Sequence, residues 1–365
     1  MKSRLFNLDI QELLDSFSGS KKIIVAYSGG IDSSALLHLL NSIKNELKQS
    51  LEVIYINHGL HKKSLEWGKF CENECNEYNI PFKLISINEK CPNGVSIESW
   101  ARNKRYSIIS KEMNKNDILL TGHHMDDQVE TFFLQILRGS GPRGLSCMPV
   151  IKKFKNGFHV RPFLNIQRHE LEEYVNVNNI KWQEDESNSD TRYDRNYLRH
   201  SVLPYFGVAW PSYCHSISKS INHQIESMTI LNEIALEDME KTLCKNLINL
   251  NVKILKRLSV ARQKNLIFYW LDSLNLDKPG SKHMEQIIST LINSGYDKCP
   301  CVNWKNTEIR KYRDHLYAFK SIHEHDENIE INWNTKSPLK IQGETLVAKE
   351  SHGKGISKSI IEDAR

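Results

Sequence analysis

A short turn rich in serine and glycine, VAYSGGIDSS at residues 25–34, contains the residue types that bind phosphate groups. Gly29 and Gly30 follow an apolar stretch and let the backbone turn tightly, with its N–H groups pointing inward. Three hydroxyl side chains lie where a helix is expected to begin, namely Ser28, Ser33 and Ser34. Such a helix start suits a di- or triphosphate. The alternative is a plain strand-to-helix turn capped by Asp32 or Ser33.

Asp32 favours the phosphate interpretation of this turn. A carboxylate beside a bound phosphate repels it unless a cation lies between the two charges. Mg²⁺ is usually held by one or two carboxylates together with the phosphates of a substrate. Asp32 is therefore predicted to contact Mg²⁺ indirectly, with metal and nucleotide arriving together.

A second group of reactive side chains lies in TGHHMDDQVET, residues 121–131. His123, Asp127 and Glu130 fall at positions i, i+4 and i+7, which share one face of a helix. Two carboxylates on that face can hold a cation. Two alternatives stay open from the residues alone: HHMDD as a divalent-metal cluster, and Asp126 with Asp127 as acids that simply favour a helix N-terminus.

Both motifs need a scaffold, and the first half of the chain predicts one. Short apolar runs with β-branched residues alternate with amphipathic helical stretches. The strand-like runs are KKIIVAYS, LEVIYINH, PFKLISI and DILLTGH. This alternation predicts an α/β fold with a doubly wound parallel sheet, whose ligands bind at the carboxyl ends of the strands. Both motifs lie at such ends.

The pattern changes after about residue 212. Helical segments such as KILKRLSVARQKNLIFYWL follow, with a strand pair expected near TEIRKYRDHLYAF. We therefore predict a catalytic domain over 1–212, a mainly helical domain over 213–321, and a linker or the start of a further domain over 322–365. The last segment is too short to form a core of its own.

Composition limits the class of protein. The 365 residues are 39% hydrophobic and 25% charged, which is typical of soluble globular proteins. No segment reaches the roughly 18 apolar residues of a membrane span, so no membrane partner and a cytoplasmic location are expected. The eight cysteines lack CxxC spacing and are interpreted as reduced thiols. The net charge of +5 permits a polyanionic partner without proving one.

The segment SGGIDS resembles the PP-loop of the ATP pyrophosphatases. That resemblance implies enzymes that split ATP between its α- and β-phosphates and release pyrophosphate after adenylating an oxygen. It also accounts for the missing lysine of GxxxxGK[ST], because the γ-phosphate is not transferred.

Further segments select within this superfamily. Together they resemble the tRNA(Ile)-lysidine synthase family: INHGLH (56–61), ESWARNKRY (98–106), TGHHMDDQVET (121–131), RGSGPRGL (138–145), RPFL (161–164), WQEDESN (182–188) and TRYDRNYLRHSVLP (191–204). The family resemblance implies that O2 of a wobble cytidine, in an isoleucine tRNA with a CAU anticodon, attacks the α-phosphate of ATP. Free L-lysine then displaces AMP at C2 and yields lysidine.

The resemblance also implies roles for individual residues. The residues implied to bind ATP are Ser28, Gly29, Gly30, Ile31, Asp32, Ser33 and Arg102. The implied catalytic residues are Asp32, His123 and Asp127. Asp127 and Glu130 are implied to bind lysine, and Arg195 is expected to pair with its carboxylate. Arg102 and Arg105 could instead form a solvated helix face, and His58 could be a packed strand-end residue.

Basic residues in the second half are candidates for contact with tRNA. The predicted set is Lys253, Lys256, Arg257, Arg262, Arg310 and Arg313. Basic side chains would follow phosphates, while Tyr312 and Tyr317 could stack on unpaired anticodon bases. A solvated basic helix is the alternative interpretation, and the oligomeric state, a homodimer included, stays open.

Two features depart from the family pattern. His61 stands where many members have arginine after INHGL, and the chain stops at IIEDAR, near where longer members begin an additional domain. A truncated or shorter form is therefore expected. Two rival functions remain. A PP-loop tRNA thiolase would need CxxC pairs, and a noncatalytic RNA-binding protein would have lost Asp32, Asp127 or Glu130.

Overall fold

The computed structural model describes residues 10–17, 19–243, 249–293 and 300–321, and beyond them 331, 333–335, 337–341, 344–349, 351–353 and 356–357. The chain divides into two compact units, Met1–Ala235 and Leu236–Arg365. The division falls within the long helix Tyr213–Thr242, whereas the sequence places the boundary at about residue 212, and the predicted domain bounds stay a prediction. Most of the predicted third segment, 322–365, lies outside the described residues.

A six-stranded sheet forms the centre of the first unit. Its strands are β1 (Lys22–Ala26), β2 (Ser50–Asn57), β3 (Phe82–Ser86), β4 (Ile118–Leu120), β5 (Ile151–Phe154) and β6 (Gly157–Val160). Their order is β3-β2-β1-β4-β6-β5, and all neighbours are parallel except β5 with β6. The order reverses direction at β1 and β4, which places a ligand crevice between their carboxyl ends.

Helices cover both faces of this sheet. The helices between residues 31 and 209 are α1 (Ile31–Ile43), α2 (Ser64–Glu77), α3 (Ile97–Glu112), α4 (Met125–Leu137), α5 (Pro142–Leu145), α6 (Arg168–Val177), α7 (Asp194–Tyr197) and α8 (Leu203–Ala209). One turn of 3-10 helix spans Glu186–Ser189, and a π-helical turn spans Leu198–Val202.

The side-chain alternation of β1 explains why both faces are covered. Ile23 and Val25 enter a core with Leu36 and Leu40 of α1, whereas Ile24 packs on the opposite face with a separate group that includes Ile109 of α3. Successive strand residues point to opposite faces, so a strand made almost entirely of apolar residues is buried on both. The predicted doubly wound α/β fold is confirmed.

The second unit combines helices with a small antiparallel sheet. Helix α9 (Tyr213–Thr242) leads into it, and α10 (Val252–Leu255), α11 (Val260–Ser273) and α12 (Ser281–Gln286) follow, with a π-helical turn at Ile287–Ile292. The strands are β7 (Asn249–Asn251), β8 (Cys301–Trp304), β9 (Thr307–Tyr312) and β10 (His315–Lys320), in the order β7-β10-β9-β8. Trp270 of α11 and Ile309 of β9 are fully buried in its core.

The hairpin β9–β10 is the strand pair that the sequence predicts, and two further short strands extend it into a sheet. A separate two-stranded hairpin is formed by β11 (Leu339–Ile341) and β12 (Glu344–Leu346). Within the described residues, every helix is too short or too polar to cross a membrane.

Candidate active site at the ends of strands β1 and β4

The serine-glycine turn lies between β1 and α1, at the carboxyl edge of the sheet. Gly30 precedes α1, and no side chain caps the start of that helix. The hydroxyl of Ser33 donates to the carbonyl of Gly30 at 2.9 Å and lies 3.1 Å from the hydroxyl of Ser28. The first N–H groups of a helix have no carbonyl partners within the helix, so these amides are available to an anion. Ile31 is buried, and only its backbone can contribute there.

Two glycines allow close approaches that a side chain would block. Gly29 has a φ of +79°, and a Cβ there would lie 3.0 Å from Sγ of Cys71. Gly122 lies in the β4–α4 loop, where a Cβ would lie 2.8 Å from the carbonyl oxygen of Asp32. Gly122 therefore lets the loop of the second motif pack directly on the first turn of α1. The structure thus brings the two predicted motifs together.

Asp32 faces His124, which the sequence analysis did not select. Nε2 of His124 lies 3.7 Å from Oδ1 of Asp32, and this oxygen is buried without a hydrogen-bond partner in the described part of the chain. Burial raises the pKa of Asp32, while His124 opposes the shift. A buried carboxylate oxygen without a donor is an available ligand for a cation.

His124 is surrounded by carboxylates on three sides. Besides Asp32, it lies 3.5 Å from Oδ2 of Asp126 and 3.6 Å from Oδ2 of Asp127. Burial alone would lower the pKa of His124, but Asp127, Asp126 and Asp32 outweigh it and raise the pKa to about 9. The protonated ring therefore compensates three negative charges at the start of α4. Asp126 has a second partner, the backbone N–H of Arg168 at 2.8 Å, so it also caps α6.

Asp127 and Glu130 form an ionic network with two arginines. Arg195 donates from Nε to Glu130 at 2.6 Å and from Nη2 to Asp127 at 3.2 Å. Arg199 makes the same two contacts at the same distances, to the other carboxylate oxygen of Glu130 and to Oδ1 of Asp127. The structure therefore joins three predicted residues and adds Arg199. Its signal in the sequence is the i, i+4 spacing of the two arginines in TRYDRNYLRHSVLP.

The two carboxylates of this network differ in access. The side chain of Glu130 is 1% exposed and that of Asp127 is 13% exposed. Burial alone would raise the pKa of Asp127, but His124 and Arg195 hold it well below its usual range. A ligand cation could therefore reach Asp127 directly, whereas contact with Glu130 requires one of the arginines to move.

His123 points to a different set of partners from its neighbour. Its Nδ1 lies 2.7 Å from the hydroxyl of Thr121, and the same hydroxyl lies 2.9 Å from Nε2 of His159. Burial lowers the pKa of His123 to about 3, so the ring is neutral. Arg102 lies near enough to contribute to this lowering, and its guanidinium stacks over the ring of Tyr106 at 5.3 Å. The positive charge of Arg102 therefore acts on the predicted catalytic histidine.

The ends of β2 and β3 border a cavity of about 320 Å³, whose lining includes Asn57, His61 and Ser86. The ring of His61 stacks on Trp67 at 4.8 Å, and its Nδ1 accepts from the backbone of Lys63. His61 is therefore held by packing. His58 contacts Arg105 at 3.4 Å, and burial lowers the pKa of His58 to about 4.

The predicted basic residues of the second unit fall into two groups. Three are paired with carboxylates: Lys253 with Asp314 at 2.8 Å, Arg262 with the buried Asp238 at 2.5 Å, and Arg310 with Glu308. The other three, Lys256, Arg257 and Arg313, make no ion pair with any described residue, and Arg313 stacks over Tyr312 at 5.3 Å. Unpaired charges are the ones available to a phosphate backbone.

Metal ligation was the alternative interpretation of HHMDD. In the part of the chain that the structure describes, no group of three or more His, Cys, Asp and Glu side chains has the geometry to hold a metal ion. His123 and His124 also turn toward different partners. The geometry gives no support to a zinc cluster in this motif.

Comparison with known proteins identifies the family. The family described as the PP-loop domain matches residues 3–206, and the one described as the TilS substrate binding domain matches residues 250–317. A tRNA(Ile)-lysidine synthase of Coxiella burnetii is 35% identical over 96% of this chain and 78% of its own length. The chain belongs to the tRNA(Ile)-lysidine synthase family. The resemblance seen in the sequence is confirmed.

Other relatives agree with this membership. The tRNA(Ile)-lysidine synthase of Legionella pneumophila strain Lens is 38% identical over 82% of this chain and 69% of its own length. Among solved structures, a U34-tRNA thiolase from Methanococcus maripaludis with its [4Fe-4S] cluster matches with a TM-score of 0.50 and 18% identity, over 61% of this chain and 79% of that one. At this identity the likeness concerns the fold alone.

Proposed function

We propose that this protein ligates free L-lysine to C2 of the wobble cytidine of a CAU-anticodon isoleucine tRNA and converts ATP to AMP and pyrophosphate. The product, lysidine, changes codon reading from AUG to AUA and the tRNA's identity from methionine to isoleucine. One observation supports this most directly. The serine-glycine turn and the network of Asp127 and Glu130 with two guanidinium groups meet at one sheet edge, in a chain of this family.

The first step activates an oxygen that is otherwise a poor leaving group. O2 of cytosine attacks the α-phosphorus of ATP, the bond to the β-phosphate oxygen breaks, and pyrophosphate leaves. The turn between β1 and α1 would hold the phosphates on backbone N–H groups and on the hydroxyls of Ser28 and Ser33. Arg102, whose charge also acts on His123, would add positive charge where negative charge develops on the phosphoryl oxygens.

The second step requires lysine to be bound and deprotonated. The neutral amine of lysine attacks C2, the bond from C2 to the adenylated oxygen breaks, and AMP leaves. The nitrogen now bonded to C2 then loses a proton. We assign the ammonium of lysine to Asp127, the more exposed carboxylate, and the carboxylate of lysine to Arg195. Glu130 is buried and accepts hydrogen bonds from Arg195 and Arg199, so in the described arrangement it orients the two guanidinium groups. Its predicted contact with lysine remains a prediction.

Magnesium fits this site through Asp32. Oδ1 of Asp32 is buried beside the start of α1 and accepts no hydrogen bond from the described residues. Mg²⁺ prefers oxygen ligands and commonly uses one or two carboxylates together with phosphates and water. When bound, the ion would offset the charge of the phosphates. His124, with its pKa raised to about 9, would hold the surrounding aspartates in place.

One experiment tests the proposed function directly. The protein is incubated with ATP, labelled lysine and total bacterial tRNA, and the RNA is digested to nucleosides. We expect label in a modified cytidine at the wobble position of one isoleucine tRNA, with one AMP formed per lysine incorporated. Omission of ATP is the control. ATP-dependent incorporation of sulfur in place of lysine would support the thiolase rival, and tRNA binding without AMP formation would support a noncatalytic protein.

The charge-reversal variant Arg257→Glu is expected to weaken tRNA binding about tenfold at 50 mM salt and to reduce its salt dependence. Arg257 is exposed and makes no ion pair with any described residue, so a phosphate contact made by its guanidinium would be lost. Each phosphate contact adds about 0.7 to 0.9 to the slope of log affinity against log salt. Filter binding or fluorescence anisotropy over a salt series measures both quantities.

Lys282→Glu is the matched control for this reversal. Lys282 is another exposed basic residue of the second unit and lies on α12. Its replacement by glutamate changes the net charge by the same amount as Arg257→Glu. We expect its affinity and salt slope to stay near those of the parent protein. Equal losses in both variants would mean that only overall charge matters. Arg262 is unsuitable for such a test, because its reversal would leave the buried Asp238 without its partner.

We further propose that the reaction takes place in the cytoplasm, where ATP, lysine and tRNA are available together. A homodimer remains a prediction that sedimentation would test.

A further inference from the structure

We propose that Thr121 and His159 are positioning residues that fix His123 as a neutral imidazole with its proton on Nε2. His123 is thereby a hydrogen-bond donor toward the substrates and not the base that deprotonates lysine. The inference about chemistry rests on the proposed function. The tautomer itself does not, because it follows from the contacts of four side chains: Arg161, His159, Thr121 and His123.

Arg161 sets the direction of this hydrogen-bonded chain. It is 5% exposed, donates from Nη1 to the carbonyl of Pro149 at 2.9 Å, and donates from Nη2 to Nδ1 of His159 at 2.9 Å. A guanidinium has five N–H donors and no acceptor. Nδ1 of His159 must therefore accept, since a proton on it would face another N–H. The neutral ring of His159 then carries its proton on Nε2.

Thr121 transmits that direction to His123. Nε2 of His159 donates to the hydroxyl of Thr121 at 2.9 Å, and this hydroxyl donates its one proton to Nδ1 of His123 at 2.7 Å. In the alternative, the hydroxyl would accept from both rings. Thr121 is 7% exposed, and its hydroxyl has no further hydrogen-bond partner among the described residues, so that arrangement would leave a buried proton without an acceptor.

The consequence is a directed N–H group at the candidate site. A neutral His123 whose Nδ1 accepts must carry its proton on Nε2, and Nε2 bonds to no residue in the described part of the chain. Burial holds the pKa of His159 near 2 and that of His123 near 3, which agrees with two neutral rings. A neutral imidazole can stabilise developing negative charge by donation. It cannot take a proton at a nitrogen that already has one.

This arrangement assigns His123 to the first step of the reaction. Charge grows on the α-phosphoryl and pyrophosphate oxygens during adenylation, and an N–H donor stabilises it. The second step needs an acceptor for the lysine proton, and that acceptor must be another group or the product's own phosphate. Loss of the Thr121 hydroxyl should therefore slow pyrophosphate exchange while leaving the KM for lysine almost unchanged.

The tautomer can be measured without any substrate. The protein is labelled with ¹⁵N-histidine, and long-range proton–nitrogen correlation spectra report which ring nitrogen is protonated. The His123 signals are assigned by their loss in His123→Gln. We expect the Nε2–H pattern in the parent protein, unchanged between about pH 6 and pH 8. An Nδ1–H pattern or a charged ring in that range would overturn the proposal.

Two substitutions at Thr121 separate positioning from packing. Thr121→Val keeps the shape and removes the hydroxyl, so His123 should become a mixture of tautomers. We expect kcat for exchange to fall about 10- to 100-fold, the size of effect seen when metal-binding histidines lose the hydrogen-bond partner that orients them. Thr121→Ser keeps the hydroxyl and should restore both the Nε2–H pattern and most of kcat. If Thr121→Val has the same His123 spectrum as the parent protein, the Thr121 hydroxyl does not fix the tautomer.

A control variant excludes a general effect of losing a buried hydroxyl. Thr242 in the second unit also has a buried hydroxyl, which donates to the carbonyl of Asp238. Thr242→Val should leave the His123 spectrum and kcat unchanged. An Nε2–H signal in a protein that incorporates no lysine would refute the proposed function but support the proposed tautomer of His123. Lysidine formation together with an Nδ1–H signal would support the proposed function and refute the proposed tautomer of His123.

Discussion

The variant Asp32→Asn is expected to lower the rate of tRNA-dependent pyrophosphate exchange by about 10³-fold, which corresponds to about 4 kcal/mol of lost transition-state stabilisation. Oδ1 of Asp32 is buried at the start of α1 without a hydrogen-bond donor among the described residues, and it lies 3.7 Å from His124. Asparagine keeps the shape and removes the charge that would hold a cation against the phosphates. Exchange of labelled pyrophosphate into ATP, with tRNA present, measures the effect.

Asp126→Asn is the matched control for this prediction. Asp126 also contacts His124, at 3.5 Å, but its other partner is the backbone N–H of Arg168 at the start of α6. We expect its exchange rate to stay within about threefold of the parent, with some loss of stability from the weakened helix cap. Equal losses in the two variants would indicate that both act through the charge of His124. If the exchange rate of Asp32→Asn equals that of the parent protein, Asp32 does not hold a metal ion needed for the reaction.

The spacing of apolar residues over short stretches of sequence was enough to predict most of the fold. The apolar runs ending at residues 26 and 120 became the adjacent strands β1 and β4, and the turn after β1 begins a helix as expected. The hairpin of β5 and β6 was not predicted, although its signal is present. The dipeptide Asn156–Gly157 is typical of tight hairpins, and here Lys155 and Asn156 connect the two strands while Gly157 is the first residue of β6.

The candidate site was predicted in part, because several of its contacts join residues far apart in sequence. His123 and His124 are indistinguishable in the local pattern, and only the approach of Asp32 reveals that His124 balances the carboxylates. Arg199 meets Glu130 across 69 residues, and His159 meets Thr121 across 38. Periodicity describes the face of one helix, whereas these pairs depend on how separate elements pack.

Glu130→Gln is expected to lower the free energy of unfolding of the first unit by about 3 to 5 kcal/mol, because it leaves buried positive charge uncompensated. Glu130 is 1% exposed and accepts one N–H from Arg195 and one from Arg199, both at 2.6 Å. Glutamine offers one acceptor and turns an NH₂ group toward the other guanidinium. For a unit of this size the melting temperature should fall by about 10 °C, measured by thermal and denaturant unfolding.

Two comparison variants decide what Glu130 does. Asp127→Asn also removes one carboxylate from the network, but Asp127 is the accessible member, so the KM for lysine should rise about 10- to 100-fold with a smaller loss of stability. Arg199→Met in the Glu130→Gln background removes the excess positive charge, and the double variant should be more stable than the sum of the single losses predicts. Additive losses would mean that Glu130 and Arg199 do not compensate each other. If the KM for lysine rises equally in both carboxylate variants, and their stabilities do not differ, lysine contacts both side chains and Glu130 is not mainly structural.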